Sequence, residues 1–187
     1  LNFEYDALGN RTAKLYEKTT GGTTESKSTF YVRDASGNTM TVYEKTTSTY
    51  ERTETYIYGS DRLGVVKTEN VTSGYNAYIQ KTGIRNYELK NHLGNVLGVI
   101  SDKKKLSQNN EYLEAELVAS YDYYPFGLAA ETYENNEYRY GFNGMEREDE
   151  WNGERTNYDF GARIYDSRIG RWLTIDPLSD IYHDINP

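Results

Sequence analysis

A short turn motif that recurs at nearly constant intervals places the strongest constraint on how this chain can fold. Each copy has an acidic or amide residue, two variable residues and a glycine, and residues typical of strands lie close before it. The copies are Asp6–Gly9, Asp34–Gly37, Asp61–Gly64 and Asn91–Gly94, and their first residues are 28, 27 and 30 positions apart. A period of this length is typical of repeat architectures in which each unit packs on its neighbours.

The outer two positions of the motif explain why it would form a hairpin turn. A carboxylate or amide oxygen at the first position can accept hydrogen bonds from backbone N–H groups, and glycine at the fourth can adopt the positive φ of a type I turn with a bulge. The flanking runs, such as Thr29–Val32 and Thr55–Tyr58, are rich in residues that favour strands. Because strands twist to the right, we predict an all-β fold of consecutive antiparallel β-hairpins in a curved, spiral sheet.

Tyrosine supplies much of the apolar surface of this chain. There are 20 Tyr among 187 residues, while only 36% of residues are hydrophobic. A tyrosine ring can be partly buried while its hydroxyl end stays in water, so we expect sheets that are exposed on at least one face. The net charge of −8 argues against nucleic acid as a partner, because phosphate binding needs a basic surface. The one basic run, Lys103–Lys105, is interpreted as a solvated hairpin tip.

Composition and motif searches also limit the chemistry that can be expected. The chain has no Cys and two His, His92 and His183, so we predict neither a disulfide nor a metal site, and no cofactor. The sequence shows no membrane-spanning apolar run, export signal, serine-hydrolase elbow, phosphate loop or dinucleotide fingerprint. The abrupt ends suggest a piece of a longer protein.

The order of motifs along the chain resembles the RHS and YD-repeat family, which is named for a Tyr-Asp pair seen here as Tyr5-Asp6 and Tyr121-Asp122. Five blocks resemble the RHS repeat-associated core in its usual order: Asn91–Val96, Tyr121–Gly127, Tyr138–Gly144, Tyr158–Asp166 and Gly170–Pro177. The resemblance implies YD-type hairpin repeats over residues 1–83. It also implies a core-like region over residues 84–187, truncated at its C-terminus and continuous with the same sheet.

The resemblance implies a structural role. The chain would form part of a shell that encloses or presents a C-terminal toxin or effector of a larger secreted or cell-surface polypeptide, and the rest of that polypeptide would be its main partner. One alternative is a glycan-binding or adhesion module that uses exposed tyrosine rings. Another is part of a self-cleaving aspartyl-protease-like core. We also expect edge-to-edge self-association, because a sheet cut from a longer one has unpaired edges.

Candidate catalytic residues are few. Asp176, in the Asp-Pro that follows Arg171-Trp172, matches the family's motif and would be one carboxylate of an aspartyl pair whose partner lies outside the chain, so we expect no catalysis by this stretch alone. Asp180 and Asp184 are close by in sequence, but nothing marks either as that partner. The acidic run Glu146–Glu150 is a weaker candidate for a glycosidase pair and is interpreted first as part of a loop.

The sequence also predicts the secondary structure of three segments in the C-terminal half. Residues 111–117 favour a strand, with one or two helical turns as the alternative. Alternating residues predict one strand in which Tyr138, Tyr140 and Phe142 share a face. They predict another running from Tyr158 to Ile164.

Overall fold

The computed structural model describes residues 1–20, 23–68, 83–134, 138–152, 155–161 and 163–175. Ten of its strands form one antiparallel sheet, which we call the repeat sheet, and their order in the sheet is their order in the chain. The strands are β1 (Asn2–Tyr5), β2 (Arg11–Thr20), β3 (Thr23–Arg33), β4 (Thr39–Lys45), β5 (Tyr50–Tyr58), β6 (Arg62–Lys67), β7 (Arg85–Lys90), β8 (Val96–Leu106), β9 (Leu113–Tyr123) and β10 (Ala129–Glu134). The predicted all-β fold of consecutive antiparallel hairpins is confirmed.

The repeat sheet is open, with β1 at one edge and β10 at the other. It is also uncurled, so these ten strands form no closed turn of the spiral that we predicted. Strands β6 and β7 pair with each other, and the sheet therefore continues through the region around residue 83 where the two sequence regions meet.

The turns that begin at Asp6, Asp34 and Asn91 share one geometry. Their glycines, Gly9, Gly37 and Gly94, have φ values of 81°, 88° and 84°. In each turn one side-chain oxygen of the first residue accepts the backbone N–H groups two and four residues on, at 2.8 to 3.0 Å. The strand register shifts just before each turn, as a bulge requires.

Asp61–Gly64 does not form the turn that its sequence predicts. The chain reverses earlier, where the N–H of Gly59 donates to the carbonyl of Asp61 at 2.9 Å, and Gly64 lies within β6 opposite Ile57. A Cβ atom on Gly64 would lie 2.0 Å from the carbonyl oxygen of Asn86 in β7. Glycine is therefore needed here for the close approach of two strands and not for a positive φ.

Residues 138–175, which we call the C-terminal segment, pack against one face of the repeat sheet, the inner face. The segment has four short strands that form a second antiparallel sheet in chain order, and a short helix. These elements are β11 (Glu146–Arg147), α1 (Asp149–Asn152), β12 (Asn157–Asp159), β13 (Ile164–Asp166) and β14 (Arg171–Trp172), and a single 3-10 turn, Phe142–Gly144, precedes them.

Several sequence expectations for secondary structure need correction. The predicted strand from Tyr158 to Ile164 is two strands, because the chain turns at Gly161, whose φ is 86°. Lys103–Lys105 lies within β8, and the tip of that hairpin follows at residues 107–112. The strand preferred over a helix for residues 111–117 is present from Leu113 onward.

The core lies between the inner face and the C-terminal segment. Its strand residues alternate, so Val42, Tyr56 and Val65 point inward. Val65 is paired with Tyr56, and Val42 is paired with Glu54, two residues before Tyr56 in β5. The core cluster consists of Tyr31, Val42, Tyr56, Val65, Val96, Val99, Val118, Ala119, Tyr121, Tyr138 and Tyr140. Five of its eleven members are tyrosines, and their hydroxyl groups bring polar atoms into the interior.

Candidate functional site

A network of buried charges joins the C-terminal segment to the inner face, and Arg139 is at its centre. The Arg139 guanidinium lies 2.9 Å from Glu54, 3.1 Å from Glu44 and 3.0 Å from Glu146. Glu44 and Glu54 belong to β4 and β5, while Glu146 begins β11. One side chain of the segment thus bridges two strands of the repeat sheet and its own short sheet. Planar guanidinium groups suit such multiple contacts with carboxylates.

Tyrosine hydroxyls complete the hydrogen bonding around Arg139. Tyr31 donates to Glu146 at 2.7 Å, and Tyr56 donates to Glu54 at 2.7 Å. Tyr140 in turn donates to the Tyr56 hydroxyl at 2.6 Å, and the two rings meet edge to face. Tyr31 and Tyr56 each donate to the same carboxylate oxygen that Arg139 contacts, so each of these buried oxygens has two partners.

A second group of ion pairs lies along β6 and β7. Arg62 is 2.9 Å from Glu88 and donates to the carbonyl of Gly144 at 2.8 Å, and its guanidinium lies 3.4 Å from the centre of the Tyr140 ring. Tyr138 donates to the same Glu88 oxygen at 2.7 Å. The 3-10 turn and the start of the segment are therefore held by side chains of the repeat sheet through both charge and cation–π contacts.

The third group lies at the β2 end of the network. Arg11 is paired with Glu148 and lies 3.1 Å from Asp159. Lys14 lies 2.8 Å from Glu150 and 3.6 Å from Glu148. Arg11 and Glu148 are fully buried. Since a buried charge is costly unless it is paired, these contacts fix the position of the segment on β2.

The carboxylates of the network differ in their affinity for protons. Burial raises the pKa of Glu148 to about 7, against the opposing effect of Lys14 and Arg11. Burial likewise raises the pKa of Asp159 to about 6, although Arg11 opposes it. Burial also acts to raise the pKa of Glu146, but Arg139 and Lys14 outweigh it and hold that pKa below its usual value. The balance between burial, which raises each pKa, and the nearby cations, which lower it, decides the direction of each shift.

A polar cavity of about 1200 Å³ opens on the inner face, at the ends of β2–β6 that lie away from the motif turns. Hydroxyl groups and paired charges line it. Thr46, Thr47 and Thr53 are among the hydroxyl residues, and Lys27 paired with Glu44 is one of the charged pairs.

An aromatic cluster lies on the opposite, outer face of the repeat sheet. Tyr43 and Tyr50 stack with their centres 5.6 Å apart, and Phe30 meets Tyr50 edge to face at 6.3 Å. Tyr50 is 62% exposed. The remaining ring surface is therefore available to solvent, which distinguishes this cluster from the buried tyrosines of the inner face.

The residues selected from sequence do not converge on a common site. The motif residues lie at one end of the strands of the repeat sheet. Asp176, Asp180, Asp184 and His183 lie outside the described residues. The acidic run Glu146–Glu150 was interpreted first as part of a loop, but Glu146 and Glu148 are buried. This is a correction with a physical reason, since cations from distant strands compensate their charge.

Sequence reasoning did not identify Arg11, Arg62 or Arg139 as members of a network. Each of them lies in or beside a strand-like run, where a charged residue normally points to solvent. One signal was present: Arg139 stands between two tyrosines in the block Tyr138–Tyr140. Nothing in the sequence indicates which distant strands these residues meet.

Within the described parts of the chain, no group of three or more His, Asp or Glu side chains is arranged to bind a metal ion. No helix among those same residues has the length and apolar character needed to cross a membrane. His92 is exposed at the tip of its turn.

Comparisons with known proteins give a fold but no family assignment. No family model matches the chain. A curated relative, salivary gland surface protein 1 of Aedes aegypti, is 27% identical over 188 residues, covering 95% of this chain and 5% of the relative. The chain is also similar to the crystal structure of TcdB2-TccC3-Cdc42, with a TM-score of 0.66 and 20% identity. It is similar to that of TcdB2-TccC3, with a TM-score of 0.61 and 19% identity.

In each case the match covers 94% of this chain and 8% of the larger chain. At these identities the similarity establishes a shared fold along nearly the whole chain. The chain thus corresponds in extent to a small part of the proteins that it resembles.

Proposed function

We propose that this chain is a wall segment of an RHS-type shell, in which the repeat sheet forms the wall and the C-terminal segment lines its inner face. The longer polypeptide would enclose or present a C-terminal toxin or effector, and it would be secreted or exposed on a cell surface. The observation that carries the proposal is the unbroken order of ten strands from one open edge to the other. Such a sheet can be extended at either edge by further hairpins.

Two further features support enclosure as the role. The similarity to the TcdB2-TccC3-Cdc42 structure extends over 94% of this chain, so the wall and the docked segment match together. The cavity on the inner face is lined by hydroxyl groups and paired charges, and charges that are paired within the wall do not attract a cargo strongly. A wall of this kind can face a cargo without binding it tightly.

Protease protection in the longer polypeptide tests the proposal. We expect the segment downstream of this chain to resist added protease for far longer than the same segment expressed alone. Val42→Asp, which places a charge in the fully buried core, should abolish this protection, while Thr47→Asp at the exposed rim should preserve it. Equal digestion of the downstream segment with and without the wall would contradict enclosure.

The open edges give a second test that needs only the present chain. Strands β1 and β10 each have a neighbour on one side only among the described residues, so we expect association between copies at high concentration. Light scattering over a concentration series should show dimers or larger species. A Pro substituted for Thr132 in β10 should reduce this association, and a strict monomer at all concentrations would contradict it.

The outer aromatic cluster favours a second candidate function, binding of a glycan. Tyr50 is 62% exposed and stacks with Tyr43, and exposed aromatic rings can pack against sugar rings while hydroxyl groups form hydrogen bonds. A glycan array probed with the wild type and with Tyr50→Ala tests this function. Signals that Tyr50→Ala removes would support it, while an array without signals at high protein concentration would contradict it.

Self-cleavage remains a prediction for the longer polypeptide, with Asp176 as one catalytic carboxylate. A version extended through the downstream residues, with and without Asp176→Asn, tests that role. We expect the unsubstituted version to be cut once and the Asn version to stay intact. Equal cleavage of both versions would show that Asp176 is not catalytic.

A further inference from the structure

The β2 end of the network contains more negative than positive charge. Its ion pairs connect two cations with three carboxylates among the described residues, a set that we call the latch cluster: Arg11, Lys14, Glu148, Glu150 and Asp159. Glu148 has no exposed side-chain surface, and Asp159 has only 8%. An uncompensated buried charge is costly, so a cluster with an excess carboxylate has a physical reason to retain a proton.

Side chains on neighbouring elements do not compensate the excess negative charge of the latch cluster. Glu146 on β11 faces the same carboxylates and adds to their repulsion, although its own ion pair is with Arg139. Arg33 on β3 faces Asp159, but its guanidinium donates to the carbonyls of Arg11 and Gly37.

Two tyrosines complete the surroundings of the latch cluster. Tyr5 on β1 faces both Glu148 and Asp159, and Tyr31 on β3 donates its hydroxyl to Glu146. Neither phenol is charged at neutral pH. The carboxylates of the latch cluster therefore face one another with an incomplete set of cations.

We propose that the latch cluster is a proton-sensitive latch, which holds the C-terminal segment tightly on β2 when Glu148 or Asp159 carries a proton and loosens when both carboxylates ionise. The cluster is placed to act this way because every contact in it crosses from the repeat sheet to the segment. Arg11 and Lys14 belong to β2, while the three carboxylates belong to β12, α1 and the residue between β11 and α1. A change in its net charge acts directly on docking.

The direction of the pH dependence follows from the pKa shifts of the two carboxylates. The folded pKa of Glu148 is about 7 against an ordinary 4.5, and that of Asp159 is about 6 against 3.8. The docked state therefore binds more protons than the undocked state between these values. Docking is strongest at mildly acidic pH and weakens as the pH rises through 6 and 7.

Hydrogen exchange of the full chain tests the latch, because exchange reports local opening. For peptides that cover residues 146–161, we expect protection, corrected for the intrinsic rate, to fall at least about tenfold from pH 5.5 to pH 8, the change that corresponds to one pKa unit. Peptides of β8 and β9 serve as an internal reference and should change much less. Protection of residues 146–161 that is unchanged or rises with pH would overturn the proposal.

A neutral pair of substitutions separates the latch from a general effect of pH. Glu148→Gln combined with Asp159→Asn removes both carboxyl groups that titrate in this range, so the fall in protection should disappear. The matched control is Glu114→Gln in β9, which removes a carboxylate outside the cluster and should leave the fall unchanged. If the double variant retained the wild-type fall, the latch would not depend on these carboxylates. If the double variant did not fold, the wild-type exchange profile alone would still decide the proposal.

Discussion

In the repeat sheet each strand bonds to its neighbours in the chain, whereas the C-terminal segment is held by side chains that reach strands far away in sequence. Arg11 and Glu148, which form one ion pair, are 137 positions apart. The strands of the repeat sheet have up to 11 residues, while those of the segment have two or three. Backbone ladders therefore stabilise the first region, and buried ion pairs and aromatic packing stabilise the second.

The comparison shows that a sheet held by its own backbone hydrogen bonds can carry a segment whose stability depends on side-chain contacts with that sheet. Hairpins built from neighbouring segments form early and need few distant contacts. A segment with strands of two or three residues cannot be stable by itself, so its order depends on the inner face. Substitutions at the contact between the two regions should therefore have larger effects than substitutions in the repeated turns.

Removal of Arg139 should have the largest effect. Arg139→Ala leaves Glu44, Glu54 and Glu146 without their shared cation, and breaking a buried ion pair from one side costs about 3–5 kcal/mol of unfolding free energy. Urea unfolding followed by circular dichroism measures this loss. The matched control is Arg168→Ala. Among the described residues Arg168 forms its ion pair with nearby Asp166, so its removal should leave stability almost unchanged. Similar losses for both would contradict the central role of Arg139.

Crowding at Gly127 should have the next largest effect. Gly127 has φ of 86°, and a Cβ atom there would lie 2.4 Å from the ring of Phe142. Gly127→Ala therefore combines backbone strain with a clash between the last turn and the C-terminal segment, at about 2–4 kcal/mol. Gly9→Ala has the same kind of strain but open space around it, and should cost about 1–2 kcal/mol. Equal costs would show that this contact contributes little to docking.

The two buried glutamates should give opposite pH signatures. Glu146 has a lowered pKa, so its contribution is present above its ordinary 4.5 and is lost as the pH falls through the folded value. Glu146→Gln should therefore lower the melting temperature most above pH 5. Glu148→Gln should instead raise it at pH 8, where the native carboxylate is ionised. Melting curves from pH 4 to pH 8.5 compare the two, and parallel profiles would contradict the assignment.

A turn substitution should have the smallest effect. Asn91→Ala removes the side-chain oxygen that accepts two backbone N–H groups at 3.0 Å, and should cost about 1 kcal/mol. Asn91→Asp should be nearly neutral, because Asp6 and Asp34 make the same contacts in their turns. Thermal unfolding measures both. A larger loss for the Asp variant than for the Ala variant would contradict the shared turn geometry.

The repeat sheet could be predicted well because its information is local. The motif at Asp6, Asp34 and Asn91 contains both the hydrogen-bond acceptor and the glycine that the turn requires, within four residues. The prediction at Asp61 was wrong for an instructive reason. Gly64 satisfies the sequence motif, but its role is to let β6 and β7 approach closely, a contact with a strand that begins some twenty residues later.

The C-terminal segment was predicted less well because its structure depends on partners elsewhere. An acidic run such as Glu146–Glu150 normally favours an exposed loop, since buried carboxylates are costly. Here Arg11, Lys14 and Arg139 offset that cost. The strand predicted from the alternation of Tyr138, Tyr140 and Phe142 was wrong, because Tyr140 forms an isolated bridge with Glu146 and Phe142 lies in the 3-10 turn. Tyr138 and Tyr140 are both buried against β5–β7, which the sequence did not indicate.

The amino-acid sequence by itself determined the hairpin, its turn and the order in which hairpins follow one another, because each of these depends on residues within a few positions. Only the tertiary structure decided which charges are buried and which carboxylates retain protons. Those properties depend on distances between residues far apart in the chain, and electrostatic interactions become strong only after folding has removed the water between them.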